Sequence, residues 1–170
     1  MCKLRIAGTV NDSITDGPGL RFTVFTQGCP HRCAGCHNPQ THAFEGGEEV
    51  TAQALCDRIA ANPLLTGVTL SGGEPFCQAE ALLPVARFAR ARGLELAVYT
   101  GYTWAELTAL GEDARTLLAL CHVVVDGRFE LAQRSLNLRF RGSENQRILD
   151  VAQSLAHGAP QLVHDGRWQR

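Results

Sequence analysis

Strand-like segments alternate with amphipathic helical segments along this chain, and no other feature limits its possible folds as strongly. Short runs rich in Val, Thr and Phe indicate strands, and apolar residues at helical spacing indicate helices. The predicted strands cover 20–27, 67–71, 94–100 and 122–125, and the predicted helices cover 52–61, 79–92, a segment starting at Trp104, and 145–155. This alternation predicts an α/β protein whose mostly parallel sheet is connected by helices.

Size and composition allow one domain. The chain has 170 residues, of which 45% are hydrophobic and 19% charged, enough for a core without disulfides. We expect a single domain over residues 1–170, with a loosely ordered tail after about residue 158. The net charge of −1 argues against nonspecific nucleic-acid binding. We see no signal-peptide pattern and no apolar run of membrane-spanning length. We therefore expect a cytoplasmic protein that binds neither nucleic acid nor membranes.

Glycine-rich and polar segments follow three of the predicted strands. A loop with three cysteines follows the first strand, Ser71-Gly72-Gly73-Glu74 follows the second, and Thr100-Gly101-Tyr102 follows the third. Parallel sheets bind ligands beyond the carboxyl ends of their strands. We therefore expect these three segments to converge on one site.

The cysteine loop carries Cys29, Cys33 and Cys36. Thiolates are soft ligands that suit iron–sulfur clusters and zinc. A [4Fe-4S] cluster normally takes four thiolates, so three would leave one iron open to a small molecule. The alternative is a zinc site completed by a nearby histidine, for which the candidates are His31, His37 and His42.

The spacing C-x3-C-x2-C, followed downstream by Ser71-Gly72-Gly73-Glu74-Pro75, resembles the radical S-adenosylmethionine superfamily. The resemblance implies that Cys29, Cys33 and Cys36 are the catalytic metal ligands of a [4Fe-4S] cluster, with S-adenosylmethionine bound at the open iron. It also implies a truncated (β/α) barrel of five or six mostly parallel strands.

The same resemblance implies where S-adenosylmethionine is held. Many members have an aromatic residue against the adenine just before the third cysteine. This chain has Gly35 there, so the backbone of Gly35 and Cys36 and the ring of His37 are expected to replace it.

The turn formed by Ser71, Gly72, Gly73 and Glu74 is expected to hold the methionyl group, because glycine lets the backbone approach closely. Two residues after later strands, Thr100 and Asp126, are further candidates for cofactor contacts. Their alternative is a capping or turn role.

Asp16-Gly17-Pro18-Gly19-Leu20-Arg21 resembles an element of the glycyl-radical-enzyme activases that holds the glycine loop of the target protein. An aspartate accepts N–H groups and an arginine donates to carbonyls. The resemblance implies that Asp16, Gly17, Gly19 and Arg21 bind this protein substrate. An ordinary tight turn is the alternative.

Later segments at 99–103, 125–129 and 140–147 are similar to the activating proteins of anaerobic ribonucleoside-triphosphate reductases. The implied reaction is cleavage of S-adenosylmethionine and hydrogen abstraction from a glycine of the reductase large subunit, with flavodoxin or ferredoxin as the electron donor. Two alternatives stay open: an activase of another glycyl radical enzyme, of the pyruvate formate-lyase type, and a non-catalytic zinc or iron–sulfur adaptor.

Overall fold

The computed structural model describes residues 2–169 and shows one seven-stranded sheet flanked by helices. The strands are β1 (Lys3–Ser13), β2 (Arg21–Thr26), β3 (Glu48–Thr51), β4 (Gly67–Gly72), β5 (Glu95–Tyr99), β6 (Val123–Asp126) and β7 (Arg147–Asp150). The α-helices are α1 (Ala52–Ala60), α2 (Ala79–Ala91), α3 (Trp104–Thr108), α4 (Glu112–Leu120), α5 (Val151–His157) and α6 (Gly166–Gln169). In this part of the chain, no helix has the length and apolar character needed to cross a membrane.

The sheet has the strand order β3-β1-β2-β4-β5-β6-β7. The pairs β2–β4, β4–β5 and β5–β6 are parallel, whereas β1–β2, β1–β3 and β6–β7 are antiparallel. The predicted α/β class is confirmed. The described sheet nevertheless has seven strands rather than five or six, and half of its neighbouring pairs are antiparallel.

One predicted helix begins too early. Residues 145–155 were expected to be helical, but Arg147–Asp150 forms β7, and α5 starts only at Val151. The Asp150 side chain accepts a hydrogen bond from the backbone N–H of Gln153 and caps α5. The cap fixes the boundary, because a capping residue adopts extended rather than helical backbone angles.

The main hydrophobic core lies between the helices and one face of the sheet, which is called the outer face. Alternate residues of the parallel strands, such as Phe22, Val68 and Leu96, are fully buried against the helices. This follows from the strand period of two, which sends every second side chain to the same face. Each such side chain contributes about 1.5–3 kcal/mol when buried, so this face anchors the sheet that positions the loops.

The segment after residue 158, where a loosely ordered tail was expected, is mostly exposed, but Val163 and Trp168 in it are buried. Leu162 pairs with Leu149 at the edge of β7. Trp168 is 1% exposed, and its ring packs 5.3 Å from that of Phe140, between centroids. Trp168 therefore covers one end of the inner face of the sheet, where Ala97 and Val125 also lie.

Candidate functional site

Two adjoining cavities lie beyond the carboxyl ends of β2, β4 and β5. The first, of about 110 Å³, is lined by all three loop cysteines together with Gly72, Gly73 and Thr100. The second, of about 350 Å³, is lined by further predicted residues, namely Asp16, His37 and Ser71. Cys36, Tyr99, Phe129 and Gln146 line both cavities. The three segments that follow the strands thus meet at one site.

The cysteine loop (residues 28–42) is closed by its own backbone. Gly28 N–H donates to Thr41 O at 2.7 Å, and Cys29 N–H donates to His42 O at 3.1 Å. The thiol of Cys36 accepts the N–H of Asn38 at 3.4 Å. Burial raises the pKa of the Cys29 thiol above its ordinary value. Backbone hydrogen bonds therefore close the loop, and its three cysteines line the first cavity.

The donor set fits an iron–sulfur cluster. Three cysteines of one short loop line a single cavity, and thiolates are soft ligands that suit iron–sulfur clusters as well as zinc. A [4Fe-4S] cluster held by these three thiolates would keep one iron open to a small molecule.

The Glu74 carboxylate is fully buried and joins three segments. It accepts hydrogen bonds from the Thr100 hydroxyl at 2.8 and 2.9 Å and from the N–H of Gly101 at 2.9 Å. The N–H of Phe76 reaches it at 3.2 Å, and His31 Nε2 lies 2.7 Å from it. Glu74 and the Thr100 hydroxyl thus form hydrogen bonds within the fold, and their expected cofactor contacts stay a prediction.

His31, which contacts Glu74, is tightly packed against the segment at residues 100–102. Its ring lies 4.5 Å from that of Tyr102 in an edge-on arrangement. A Cβ at Gly101 would come within 2.3 Å of the His31 ring, so only glycine leaves room for it. The sequence marked His31 only as a possible zinc ligand, because its partner Glu74 is 43 residues away.

Gly72 and Gly73 are required by backbone packing. A Cβ at Gly72 would meet the backbone of Phe25 and Thr26 at 2.5–2.6 Å, and one at Gly73 would meet Gly28 O at 2.3 Å. Gly72 also has a φ of +88°, which favours glycine. The turn at residues 71–74 (the GGE turn) therefore rests directly on the start of the cysteine loop. The predicted reason, close approach to a methionyl group, is not needed to explain these glycines.

Phe129 supplies an aromatic surface near Gly35. A Cβ at Gly35, where φ is +74°, would lie 3.3 Å from the Phe129 ring and 2.9 Å from Leu131. The rings of His37 and Phe129 are 5.4 Å apart, edge to face. Phe129 was not identified as a site residue from the sequence, because it lies 93 positions after Cys36 in the chain.

Tyr99 stands at the junction of the two cavities. Burial, and next the nearby charge of Asp16, raise the pKa of its phenol well above the ordinary value. The phenol is therefore neutral at physiological pH. This residue was also not identified as a site residue from the sequence.

Asp126 is buried and engaged within the fold. Its carboxylate accepts the N–H of Trp104 at 2.8 Å and two hydrogen bonds from Arg147, at 3.0 and 2.6 Å. Asp126 thus anchors the start of α3 and the edge strand β7. These contacts fit the capping alternative, and the expected cofactor contact of Asp126 stays a prediction.

Arg21 is buried, and its guanidinium forms hydrogen bonds with neighbouring strands of the sheet. Its guanidinium donates to Thr69 Oγ1, Pro18 O, Val68 O, and both the carboxylate and the backbone carbonyl of Glu95, at 2.7–3.2 Å. An arginine has five N–H donors, and all are used. In this structure Arg21 therefore bonds within the fold, and its predicted contact with a protein substrate stays a prediction.

The glycines of the same motif also serve the fold. A Cβ at Gly17 would come within 2.8 Å of the Arg21 side chain, and one at Gly19 within 2.1 Å of Thr66 Oγ1. Only Asp16 of the four predicted residues lines the site. Its Oδ2 accepts the hydroxyls of Ser13 and Thr23.

Comparison with known proteins agrees with this geometry. A family described as a 4Fe-4S single cluster domain matches residues 15–149. An anaerobic ribonucleoside-triphosphate reductase-activating protein of Vibrio cholerae is 36% identical over 144 residues, which cover 79% of this chain and 90% of that protein. The protein of the same name from Escherichia coli K12 is 35% identical over 142 residues, covering 78% and 90%.

A second type of activase is also similar. The pyruvate formate-lyase-activating enzyme of Clostridium pasteurianum is 37% identical over 130 residues, which cover 72% of this chain and 55% of that enzyme. The resemblance drawn from the motifs is thus confirmed. The chain belongs to the 4Fe-4S single cluster domain family and, within it, to the anaerobic ribonucleoside-triphosphate reductase-activating proteins.

Proposed function

We propose that this protein is a radical S-adenosylmethionine activase that abstracts a hydrogen from one glycine of an anaerobic ribonucleoside-triphosphate reductase and leaves a glycyl radical there. The observation that carries the proposal is the shared cavity of Cys29, Cys33, Cys36 and the GGE turn at the carboxyl ends of parallel strands. The names of the relatives supply the target. The cytoplasm, and flavodoxin or ferredoxin as electron donor, belong to the same proposal.

Cys29, Cys33 and Cys36 would hold a [4Fe-4S] cluster with one iron open. When bound, the cluster supplies the electron that cleaves S-adenosylmethionine to methionine and a 5′-deoxyadenosyl radical. The chain's own contribution is orientation and exclusion of water. The His31–Glu74 contact and the backbone bond from Glu74 N–H to Gly28 O, at 2.8 Å, keep the cysteine loop and the GGE turn in fixed register.

The second cavity is where S-adenosylmethionine would extend. Ser71 lines it on one side, and His37 and Phe129 line it on another. The hydroxyl suits a polar methionyl end, and the paired rings suit an adenine face. We propose that the sheet is a truncated (β/α) barrel of the radical S-adenosylmethionine type, open at the side so that a partner loop reaches this cavity.

Within this proposal, Asp16 of the Asp-Gly-Pro-Gly motif would meet the partner, because it lines the second cavity. The hydroxyls of Ser13 and Thr23 both donate to Oδ2, which leaves Oδ1 for an N–H of an incoming backbone. A glycine loop held there would lie against Tyr99 and Phe129, which line the same cavity. Such positioning matters because hydrogen transfer needs near-contact distance.

The test is anaerobic reconstitution with iron and sulfide, reduction, addition of S-adenosylmethionine, and measurement of 5′-deoxyadenosine by mass spectrometry. We expect product from the wild type and loss of product in Cys33→Ala. Cys2→Ala is the matched control, because Cys2 is an exposed cysteine outside the cysteine loop, and it should keep full activity. A fully iron-loaded wild type that forms no product, with or without the reductase, would refute the proposal.

A second target is suggested by the pyruvate formate-lyase-activating relative. The loaded protein should be mixed in parallel with the reductase large subunit and with pyruvate formate-lyase. We expect a glycyl radical in the reductase only. A radical in pyruvate formate-lyase alone would assign the protein to the other activase type.

A further inference from the structure

The imidazole of His42 has a buried nitrogen with no partner. Within residues 2–169, Nε2 of His42 is one of three buried side-chain nitrogen or oxygen atoms that form no hydrogen bond. An unsatisfied buried donor costs about 1–3 kcal/mol, and native proteins retain few of them. This nitrogen therefore marks a place where an acceptor is expected.

His42 lines the same cavity as Cys29, Cys33 and Cys36. Its backbone is held on both sides, because its N–H donates to Pro39 O at 3.2 Å and its carbonyl accepts the N–H of Cys29 at 3.1 Å. The backbone of His42 is thus hydrogen-bonded to that of Cys29, the first cysteine of the loop.

The other two histidines of the loop have contacts of a different kind. Nε2 of His31 contacts Glu74, and the ring of His37 packs against Phe129. His42 differs because its buried nitrogen faces no acceptor in the described chain. His42 lines the cavity of the three cysteines, and the acceptors that a bound iron–sulfur cluster would add there are its thiolate and sulfide sulfurs.

We propose that His42 Nε2–H donates a hydrogen bond to a sulfur of the [4Fe-4S] cluster and thereby raises the reduction potential of the cluster. This inference rests on the proposed function, which places the cluster on the three cysteines. His42 is then a positioning residue that acts on the electron-transfer step and does not touch S-adenosylmethionine.

The direction of the effect follows from charge. Reduction adds one electron to the cluster, so a hydrogen-bond donor stabilises the reduced form more than the oxidised form. Hydrogen bonds to cluster sulfurs are among the factors that set such potentials. Loss of the donor must therefore move the potential to a more negative value.

The test is a redox titration of the reconstituted protein, followed by EPR, without S-adenosylmethionine or the partner. His42→Phe keeps a ring but removes the donor, and we expect a more negative midpoint potential. His42→Gln restores an N–H donor and should return towards the wild-type value. His157→Phe is the matched control, because His157 is an exposed histidine on α5 whose Nδ1 contacts Gln153 O, and it should leave the potential unchanged.

Equal potentials in the wild type and in a fully loaded His42→Phe would overturn the inference. Should His42→Phe fail to hold a cluster, pulsed EPR of protein labelled with 15N-histidine decides the matter. We expect a weak nitrogen coupling in the wild type that is lost in His42→Gln. A coupling retained in His42→Gln, or one strong enough for a direct iron–nitrogen bond, would contradict the hydrogen bond.

The two proposals fail in different ways. A wild-type chain that takes up no cluster would refute the proposed function. A loaded wild type that cleaves S-adenosylmethionine, with no change of potential in His42→Phe, would refute only the role of His42.

Discussion

His31 Nε2 lies 2.7 Å from Glu74 Oε2, and this contact fastens the cysteine loop to the GGE turn. Both side chains are buried. The same carboxylate binds Thr100 and Gly101 at the end of β5. One buried carboxylate thus holds together the three segments that line the candidate cluster cavity.

Glu74→Ala should destabilise the metal-free protein by about 3 kcal/mol or more, because it leaves several buried donors unsatisfied. Glu74→Gln keeps one acceptor oxygen and should cost less. The measurement is urea unfolding. Glu80→Ala, an exposed glutamate on α2, serves as control and should be close to wild type. A Glu74→Ala protein as stable as the control would show that the network does not hold the site.

The two arginines that contact Glu95 should contribute very differently to stability. Arg21 is 1% exposed and Arg167 is 59% exposed, although both lie within 3.1 Å of the same carboxylate. Arg21→Met should lower the free energy of unfolding by about 3–5 kcal/mol, as when one partner of a buried pair is lost. Arg167→Met should cost about 1 kcal/mol or less, because exposed pairs are screened. If chemical denaturation showed equal losses in the free energy of unfolding for the two variants, the stabilising role of buried Arg21 would be contradicted.

Trp168 should be essential to the fold, since it covers the inner face of the sheet. Trp168→Ala is expected to cost about 3–5 kcal/mol, the range for a large side chain removed from a core. Leu162→Ala is the control within the same segment, because Leu162 is 58% exposed, and it should cost far less. If thermal unfolding of Trp168→Ala matched that of Leu162→Ala, the packed C-terminal segment would be refuted.

Glu106 should make stability depend on pH in acid. Hydrogen bonds from Arg128, and next from the backbone of Thr103, lower the pKa of Glu106 from 4.5 to about 2. A carboxylate with a depressed folded-state pKa stabilises the protein above its unfolded pKa, and this contribution disappears as pH falls through the folded value. The side chain is 42% exposed, so the contribution is about 1 kcal/mol or less.

The matching variant is Glu106→Gln, studied by urea unfolding between about pH 2 and 7. Wild type should exceed the variant in stability above pH 4.5, and the difference should shrink towards pH 2. A difference that does not change with pH would show that the Glu106–Arg128 pair carries no net stabilisation.

Much of the parallel part of the sheet was predictable from the sequence. Strands β2, β4, β5 and β6 are short apolar runs, and they were predicted within a few residues of their observed bounds. The sequence pattern did not predict β1, β3 and β7. They lie towards the edges of the sheet and expose polar residues such as Glu48 and Glu49. Edge strands show weaker alternation, so local pattern alone does not reveal them.

The site was predictable where the chemistry lies in one short segment. The cysteine loop and the GGE turn are local motifs, and the topology of a parallel sheet brings them together. The hydrogen-bond partners of Arg21, Glu74 and Asp126 could not be predicted, because those partners lie far away in the chain. Arg21 and Glu95, for example, are 74 positions apart. A polar residue in a motif can serve the fold, and its hydrogen-bond partners elsewhere in the chain become visible only in the structure.

The most direct measurement uses reductase large subunit labelled with α-deuterated glycine, mixed anaerobically with the loaded and reduced activase and S-adenosylmethionine. We predict that deuterium appears in 5′-deoxyadenosine and that the reductase gains a glycyl radical in its EPR spectrum. 5′-Deoxyadenosine that carries no deuterium, with no radical on the reductase, would contradict direct hydrogen abstraction from the glycine of the partner.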